Sequence, residues 1–286
     1  GTIDISGPAY SGAFQNYGEV RNYGSLETYD TFSNAGLVSN YSGARFDNYG
    51  SLTNTGTGSL FNYSGGQVTN RGTLTTNTGT ESSNYGILTS SGTLFNAGIL
   101  HSFGSLSNEG VGTLANFGTL NSSGFLVNDG RSMENYGVLR VSGELRNVTN
   151  AVNQGTLFNG ANSSFSRIEN LGRIDNLGDL INESGGTINS SGVLINSGLI
   201  QSFGAVNNRG IFSNESSGRV ENYGTFINGS YGSTARLENT GTFINSGILR
   251  NETTVDNRYQ LENRGTLENY GEVKNYRTLT NGGTLV

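Results

Sequence analysis

The chain is written almost entirely in one six-residue phrase. Asn16-Tyr-Gly-Glu-Val-Arg is followed at once by Asn22-Tyr-Gly-Ser-Leu-Glu, and the phrase N-x-G-x-Φ-x, with Φ aliphatic or Phe, returns at Asn48, Asn84, Asn135, Asn222 and Asn269. A repeat this short overrides the usual reading of 286 residues as one or two globular domains, because no single unit can bury a core and each must stack on its neighbours. Within the phrase Φ sits between polar residues, as in Thr73-Leu74-Thr75 or Glu19-Val20-Arg21, so a short strand turns Φ inward and its neighbours outward. Asn-x-Gly is then the corner, with Asn tolerating left-handed backbone and Gly supplying either positive φ or close packing. Helix is disfavoured by the same residues. A Gly every six positions costs about 1 kcal/mol each relative to Ala, and an apolar period of six does not keep to one helical face.

Short strands of one polarity, repeated with corners between them, predict an all-β fold: a single-stranded parallel β-helix, or β-solenoid, in which each strand pairs with its equivalent one rung away. Columns of Φ form the core and columns of Asn form side-chain amide ladders. Three hexads per rung give three faces and roughly 14 rungs at the spacing of paired strands. A second rhythm competes with this count. Asn40-Tyr-Ser-Gly-Ala-Arg, the irregular Thr76 to Ser83 and Asn108-Glu-Gly-Val-Gly-Thr are five hexads apart, and Tyr17, Tyr49, Tyr85 and Phe117 keep the same step. Either a five-hexad module was duplicated or the rung itself holds five hexads. Five would enclose a lumen that one Φ per side hardly fills to native density, so three per rung is the expectation.

Residues 1–15 hold the single proline, Pro8, among apolar Ile3, Ile5, Ala9, Tyr10 and Phe14, and read as an N-terminal cap or irregular first rung; 16–286 read as one continuous solenoid. The last hexad, Asn281-Gly-Gly-Thr-Leu-Val, has no irregular closing segment, so that end is expected to continue or to dock on another chain. The eleven-residue units Asn159 to Glu169 and Asn228 to Glu238 read as loops bulging from a corner, and the charge-rich Asn251 to Thr280 as a solvated surface.

Composition narrows the function. With 45 Gly and 13% charged residues the chain could be disordered, but Φ recurs too regularly for a linker. A net charge of −6 with scattered Lys and Arg gives no basic stripe, so nucleic acid is not an expected partner. No run approaches the roughly 18 to 20 apolar residues of a membrane span, and no signal peptide is visible at Gly1. The absence of Cys removes disulfides and thiolate metal sites.

Laid out in hexads, the chain from Asn16 onward resembles the β-helical shafts of large secreted adhesins of the filamentous-haemagglutinin type and of autotransporter passengers, whose repeats also use N-x-G-x-[LIV]-x phrases. The resemblance implies a right-handed coil at the cell surface or in the extracellular space. The chain differs in having no recognisable secretion domain at its N-terminus and a purer hexad. The six-residue period also resembles left-handed hexapeptide acyltransferases, which generally need a catalytic His.

Candidate chemistry is sparse. His101, the single His, falls on the outward position after Leu100 and reads as a bare exposed imidazole. A nucleophilic triad needs a second and third group around Ser, and abundant Ser without accompanying His argues against that class. Asp175 and Asp179 are the one close pair of Asp, flanking Asn176-Leu-Gly with Arg173 nearby, and are the residues on which a polysaccharide lyase or hydrolase would have to rest. No cofactor or metal site is expected. Ice binding would need a flat face of paired outward Thr, and only Thr73/Thr75 and Thr278/Thr280 are Thr-Leu-Thr. Tyr and Phe in the middle of N-x-G are the candidate surface-binding residues: Tyr17, Tyr49, Tyr85, Phe103, Phe117, Tyr136, Phe203, Tyr223 and Tyr270, with Tyr23 and Tyr276 alongside. They are expected at corners, partly exposed, either stacked to shield the backbone ladder or forming a sticky edge for glycan or neighbouring shafts. The expectation is an extracellular structural or adhesive shaft, in contact with its own copies or with surface glycans; a carbohydrate-active enzyme is the rival, and an ice-binding protein ranks behind both.

Overall fold

The computed structural model describes residues 1–160, 165–230 and 234–286. The loops expected at Asn159 to Glu169 and Asn228 to Glu238 fall in part on residues 161–164 and 231–233, which lie outside the described residues.

Each hexad becomes a four-residue strand and a two-residue corner. In Glu19–Asn22 the second and fourth residues, Val20 and Asn22, are buried and the first and third are half-exposed, which is the period of two that a strand with one buried face requires. Pairing is parallel, and within each compact unit a strand pairs with the strand three places on in sequence. Glu19–Asn22, for example, lies in register between Thr2–Ile5 and Leu37–Asn40. Three hexads therefore make one rung, and the fold is a three-faced parallel β-helix.

The chain divides into two compact units, Gly1–Leu139 and Arg140–Val286. In the first, face A runs from Thr2–Ile5 to Thr119–Ser122, face B from Pro8–Ser11 to Phe125–Asp129, and face C from Phe14–Asn16 to Ser132–Asn135. In the second, face D runs from Glu144–Asn147 to Thr284–Leu285, face E from Asn150–Asn153 to Glu272–Asn275, and face F from Thr156–Asn159 to Thr278–Asn281. The interior of each unit is narrow enough for Φ from three sides to fill it. Phe14, Phe32 and Phe46 meet in the first unit at centroid distances of 5.0 and 6.1 Å, and Phe212, Phe226 and Phe243 meet edge to face in the second at 5.0 and 5.4 Å.

The five-hexad rhythm does not define the rung. Five steps on a three-sided coil end on a different side, so Tyr17 follows face C, Tyr49 follows face B and Tyr85 follows face A. What stacks instead is the residue three hexads away. The long corner Tyr41-Ser42-Gly43-Ala44 lies on Tyr63-Ser64-Gly65-Gly66, where the Gly43 N–H donates to the Gly65 carbonyl at 3.0 Å.

The corner chemistry differs from the sequence reading in two ways. Asn does not form the corner; it ends the strand, with its amide turned into the interior and almost fully buried. From there Asn196, on face E, donates from Nδ2 to Asn214 Oδ1 at 2.8 Å and to the Arg219 carbonyl at 3.1 Å. The ladder along this corner is unbroken from Asn153 through Asn176, Asn196, Asn214, Asn239 and Asn257 to Asn275, at 2.7 to 2.8 Å per step. The Gly of the two-residue corner, for its part, is selected by close approach. Among the described residues positive φ is confined to glycines of the longer corners, such as Gly56 and Gly110 at +60°. At Gly36, Gly92 or Gly192 a Cβ would overlap the carbonyl oxygen of the glycine one rung back.

One rung of the first unit breaks the pattern. Ser82 stands where Φ belongs, and its Oγ accepts from Asn54 Nδ2 at 2.9 Å and from the Leu60 N–H at 3.2 Å. Strand Glu81–Asn84 accordingly keeps register with Ser59–Asn62 only at Phe61↔Ser83 and Asn62↔Asn84, and a small void opens among Leu60, Leu74, Leu88 and Leu100. Ser82→Ala leaves both donors without an acceptor and is expected to cost about 1–3 kcal/mol, read from the shift in a denaturant midpoint. A neutral result would mean that water already serves those donors.

Candidate binding surfaces

The candidate aromatics lie at corners, as expected, but they are dispersed over several of them. The corner after face A carries Tyr23, Tyr41, Tyr63, Tyr85 and Phe103. Tyr23 stacks on Tyr41 at 4.4 Å and Tyr41 on Tyr63 at 4.8 Å, with planes within 11° and 7° of parallel. Phe61, projecting from face A, sits 5.1 Å from Tyr63 and 5.7 Å from Tyr85, and Tyr85 stacks on Phe103 at 4.5 Å. The column follows from the rung spacing of about 4.8 Å, which is close to the stacking distance of two rings. After face B, Tyr49 stacks on Tyr29 at 4.8 Å and carries the Arg71 guanidinium 4.9 Å from its centroid. After face C, Tyr17 stands 79% exposed, while Phe117 lies 4.4 Å from Tyr136 and 5.1 Å from Phe95. In the second unit Phe203 stacks on Tyr223 at 5.0 Å after face F, and Tyr270 lies after face D beside Arg250 at 5.8 Å.

This geometry limits what the columns can bind. A ring recognises a sugar or a cation through its face, and an interior ring such as Tyr41 has a neighbour on both faces, so it offers solvent only an edge and a hydroxyl. Rings at the end of a stack, and isolated Tyr17, keep a free face. Tyr41→Ala interrupts two stacks and is expected to lower stability by about 1–2 kcal/mol, measured by thermal unfolding. A stability equal to wild type would mean that the rings contribute nothing beyond covering the backbone.

Charged groups pair along the outward positions. The hydrogen bond from Tyr29 to Glu27 pushes the Tyr29 phenol up to about 12. Glu221 accepts from Gln201 at 2.8 Å, Arg219 at 2.6 Å and Tyr223 at 3.2 Å, and the Gln201 donor above all holds its carboxyl below the ordinary 4.5. A carboxyl whose folded pKa is lowered stabilises at neutral pH and loses that contribution as the pH falls from 4.5 through the folded value. Glu221→Gln is therefore expected to flatten the acid limb of the unfolding midpoint against pH. An unaltered limb would place the acid sensitivity elsewhere.

His101 is not bare. Its Nε2 lies 3.2 Å from Glu81 Oε1 and its Nδ1 3.3 Å from Asn121 Nδ2, and the ring stacks beside Phe103 at 5.9 Å. Both ring nitrogens are engaged, neither with a hydroxyl. Asp175 and Asp179 are not brought together: Asp175 is held by Arg173 at 2.9 Å on face E, while Asp179 begins the next strand, exposed on face F. Among the described residues no three His, Asp or Glu side chains converge as a metal site.

A surface that the single-hexad reading missed lies on face C. Its strands place Thr31/Ser33, Ser51/Thr53 and Thr73/Thr75 on consecutive rungs in register, with Thr93 and Thr113 continuing the first column and Phe95 and Ala115 closing the second. Looking for Thr-Leu-Thr alone passes over Thr31-Phe32-Ser33 and Ser51-Leu52-Thr53. The other such motif, Thr278/Thr280, pairs with Gln260 and Glu262 and belongs to no array.

No protein-family model matches the chain, and no curated protein matches it. Among solved structures, the crystal structure of a TibC-catalysed hyper-glycosylated TibA fragment aligns with 100% of this chain and 97% of its own, at 15% identity and a TM-score of 0.34.

Proposed function

We propose that the chain is a structural and adhesive extracellular element, a β-solenoid shaft that meets its own copies or surface glycans and carries out no catalysis. The observation that carries this reading is the unbroken amide ladder from Asn153 to Asn275, in which each buried side chain is bonded to the rung beyond it. Such ladders, added to in-register backbone pairing, give persistence without disulfides, which a shaft outside the cell requires. The same regularity leaves outward side chains in straight columns, an arrangement suited to repeated contacts along an extended partner more than to gripping one reacting atom.

Beads coated with the protein are expected to adhere to cells or to arrayed glycans, and electron microscopy separates end-to-end fibres from isolated rods. Release of reducing ends from a polysaccharide panel, abolished in Asp175→Asn, would replace this reading with an enzymatic one. Failure to adhere to cells, glycans or its own copies would remove the adhesive part.

A further inference from the structure

We propose that face C of the first unit binds ice, through the hydroxyl and methyl groups of the Thr/Ser array between Thr31 and Thr113. The proposal is independent of the adhesive reading above. It starts from unspent hydrogen-bonding capacity. Some surface hydroxyls are used within the chain: Thr57 donates to the Ala35 carbonyl, Ser213 to Glu215, Ser217 to the Ser197 carbonyl and, at the edge of the array, Thr31 to Asp30. Those of Ser33, Ser51, Thr53, Thr73, Thr75 and Thr93 bond to no other described residue, yet all six are at least partly exposed.

Their positions are fixed by the β-ladder. Thr31↔Ser51↔Thr73↔Thr93 and Ser33↔Thr53↔Thr75 are strict partners, so hydroxyls repeat along the face at the strand spacing of about 4.8 Å and across it at two residues, about 6.7 Å. Water molecules joined tetrahedrally by hydrogen bonds of about 2.75 Å have second neighbours about 4.5 Å apart, and the long repeat of hexagonal ice built from the same bond is about 7.3 Å. Along the face the misfit is about 0.3 Å per rung, so three paired rungs accumulate about 0.6 Å, which side-chain rotation absorbs. Across the face there is a single step, so its larger misfit does not grow.

The surroundings suit ordered water. No charged side chain occupies the first or third position of these strands from Thr31 to Ala115, and the charges of Asp30 and Arg71 stand at the corner that precedes the face. The Thr methyl groups favour cage-like water beside them while the hydroxyls anchor it. Leu52, Leu74, Leu94 and Leu114 lie buried directly behind and hold the strands in place, and the stack of Tyr29, Tyr49 and Arg71 stands at the corner that borders the face. Face B differs: Arg45 and Asp47 form an ion pair there.

The test is slow growth of ice from a dilute solution of the full chain, followed by assay of the ice and liquid fractions. Wild type is expected to concentrate in the ice. The double variant Thr53→Lys, Thr73→Lys is expected to lose that incorporation, whereas Thr187→Lys, on face D, retains it. Circular dichroism melting confirms that each variant is folded. Exclusion of the wild type from ice, as for serum albumin, overturns the proposal. So does equal incorporation of wild type and the face C variant. Should the double variant melt early, Thr73→Val in its place still decides the matter, because it keeps shape and removes only the hydroxyl.

Discussion

Asn196→Ala is expected to lower the unfolding free energy by about 3–5 kcal/mol, on the basis that each unsatisfied buried polar group costs about 1–3 kcal/mol. The side chain is fully buried and has four partners, one of them the Gly198 carbonyl, which accepts from its Nδ2 at 3.1 Å. Asn176 Nδ2 donates to its Oδ1 at 2.8 Å, and its own Nδ2 serves Asn214 Oδ1 at 2.8 Å and the Arg219 carbonyl at 3.1 Å. Ala removes all of these and leaves a void. Ser is the gentler replacement. Natural serines at this strand position accept from the Asn one rung back, Ser190 from Asn170 at 3.0 Å and Ser202 from Asn182 at 3.1 Å, so Asn196→Ser keeps the bond from Asn176 and is expected to cost about half as much. Asn196→Asp keeps the shape but buries a charge and faces Asn214 Oδ1 with an oxygen in place of a donor. Burial raises the carboxyl pKa, so this variant is expected to recover stability as the pH is lowered and a proton restores the donor. Denaturant unfolding of the three variants should rank them Ser, then Ala, with Asp below both at neutral pH. Ala equal to Ser would show that the ladder contributes little.

Gly192→Ala is expected to cost about 3 kcal/mol or more, an overpacking effect at the upper end of its range, because the new Cβ is met by backbone. It would overlap the Gly172 carbonyl oxygen, with the Leu171 carbonyl oxygen 2.7 Å away on the same side. Neither can yield without moving a rung. Gly110→Ala makes the matching control: its φ is +60° and nothing lies within 4 Å of the built Cβ, so only the left-handed penalty of about 1–2 kcal/mol applies. Thermal melting of the pair reads the difference. If Gly110→Ala were the more damaging, close approach would not be the stronger demand for glycine at these corners.

Much of the architecture was legible because the hexad carries two independent signals. Alternation around Val20 or Leu74 fixes which side is buried, and the narrowness of a core fed by one Φ per side favours three hexads per rung over five. The role of Asn was legible only in part. That Asn columns form amide ladders follows from parallel stacking, but whether Asn22 turns into the interior or stands at the corner depends on where the strand ends, which Asn-x-Gly does not state. The glycine was open for a related reason: Gly36 and Gly56 both close an Asn-x-Gly, yet one meets the carbonyl of the rung before it and the other takes positive φ in open space. At the surface, the position of each aromatic was readable hexad by hexad, whereas the stack of Tyr23, Tyr41, Tyr63, Tyr85 and Phe103 and the hydroxyl array on face C exist only between rungs. His101 acquired Glu81 and Asn121 in the same way, from strands roughly one turn distant in sequence. Writing the chain out every third hexad would have revealed all three.

The mismatch between a five-hexad module and a three-sided coil has a consequence for display. Because five and three share no factor, each tandem copy of a module turns its side chains toward a new direction, and the original direction returns only with the fourth copy. Tyr17, Tyr49 and Tyr85 follow three different faces, and Phe117 follows the same face as Tyr17. Duplication of a module on such a three-sided coil therefore broadcasts one motif around the compass before repeating it. A partner approaching from any side meets a copy, and simultaneous engagement of several multiplies weak contacts into avidity without a new contact having to evolve.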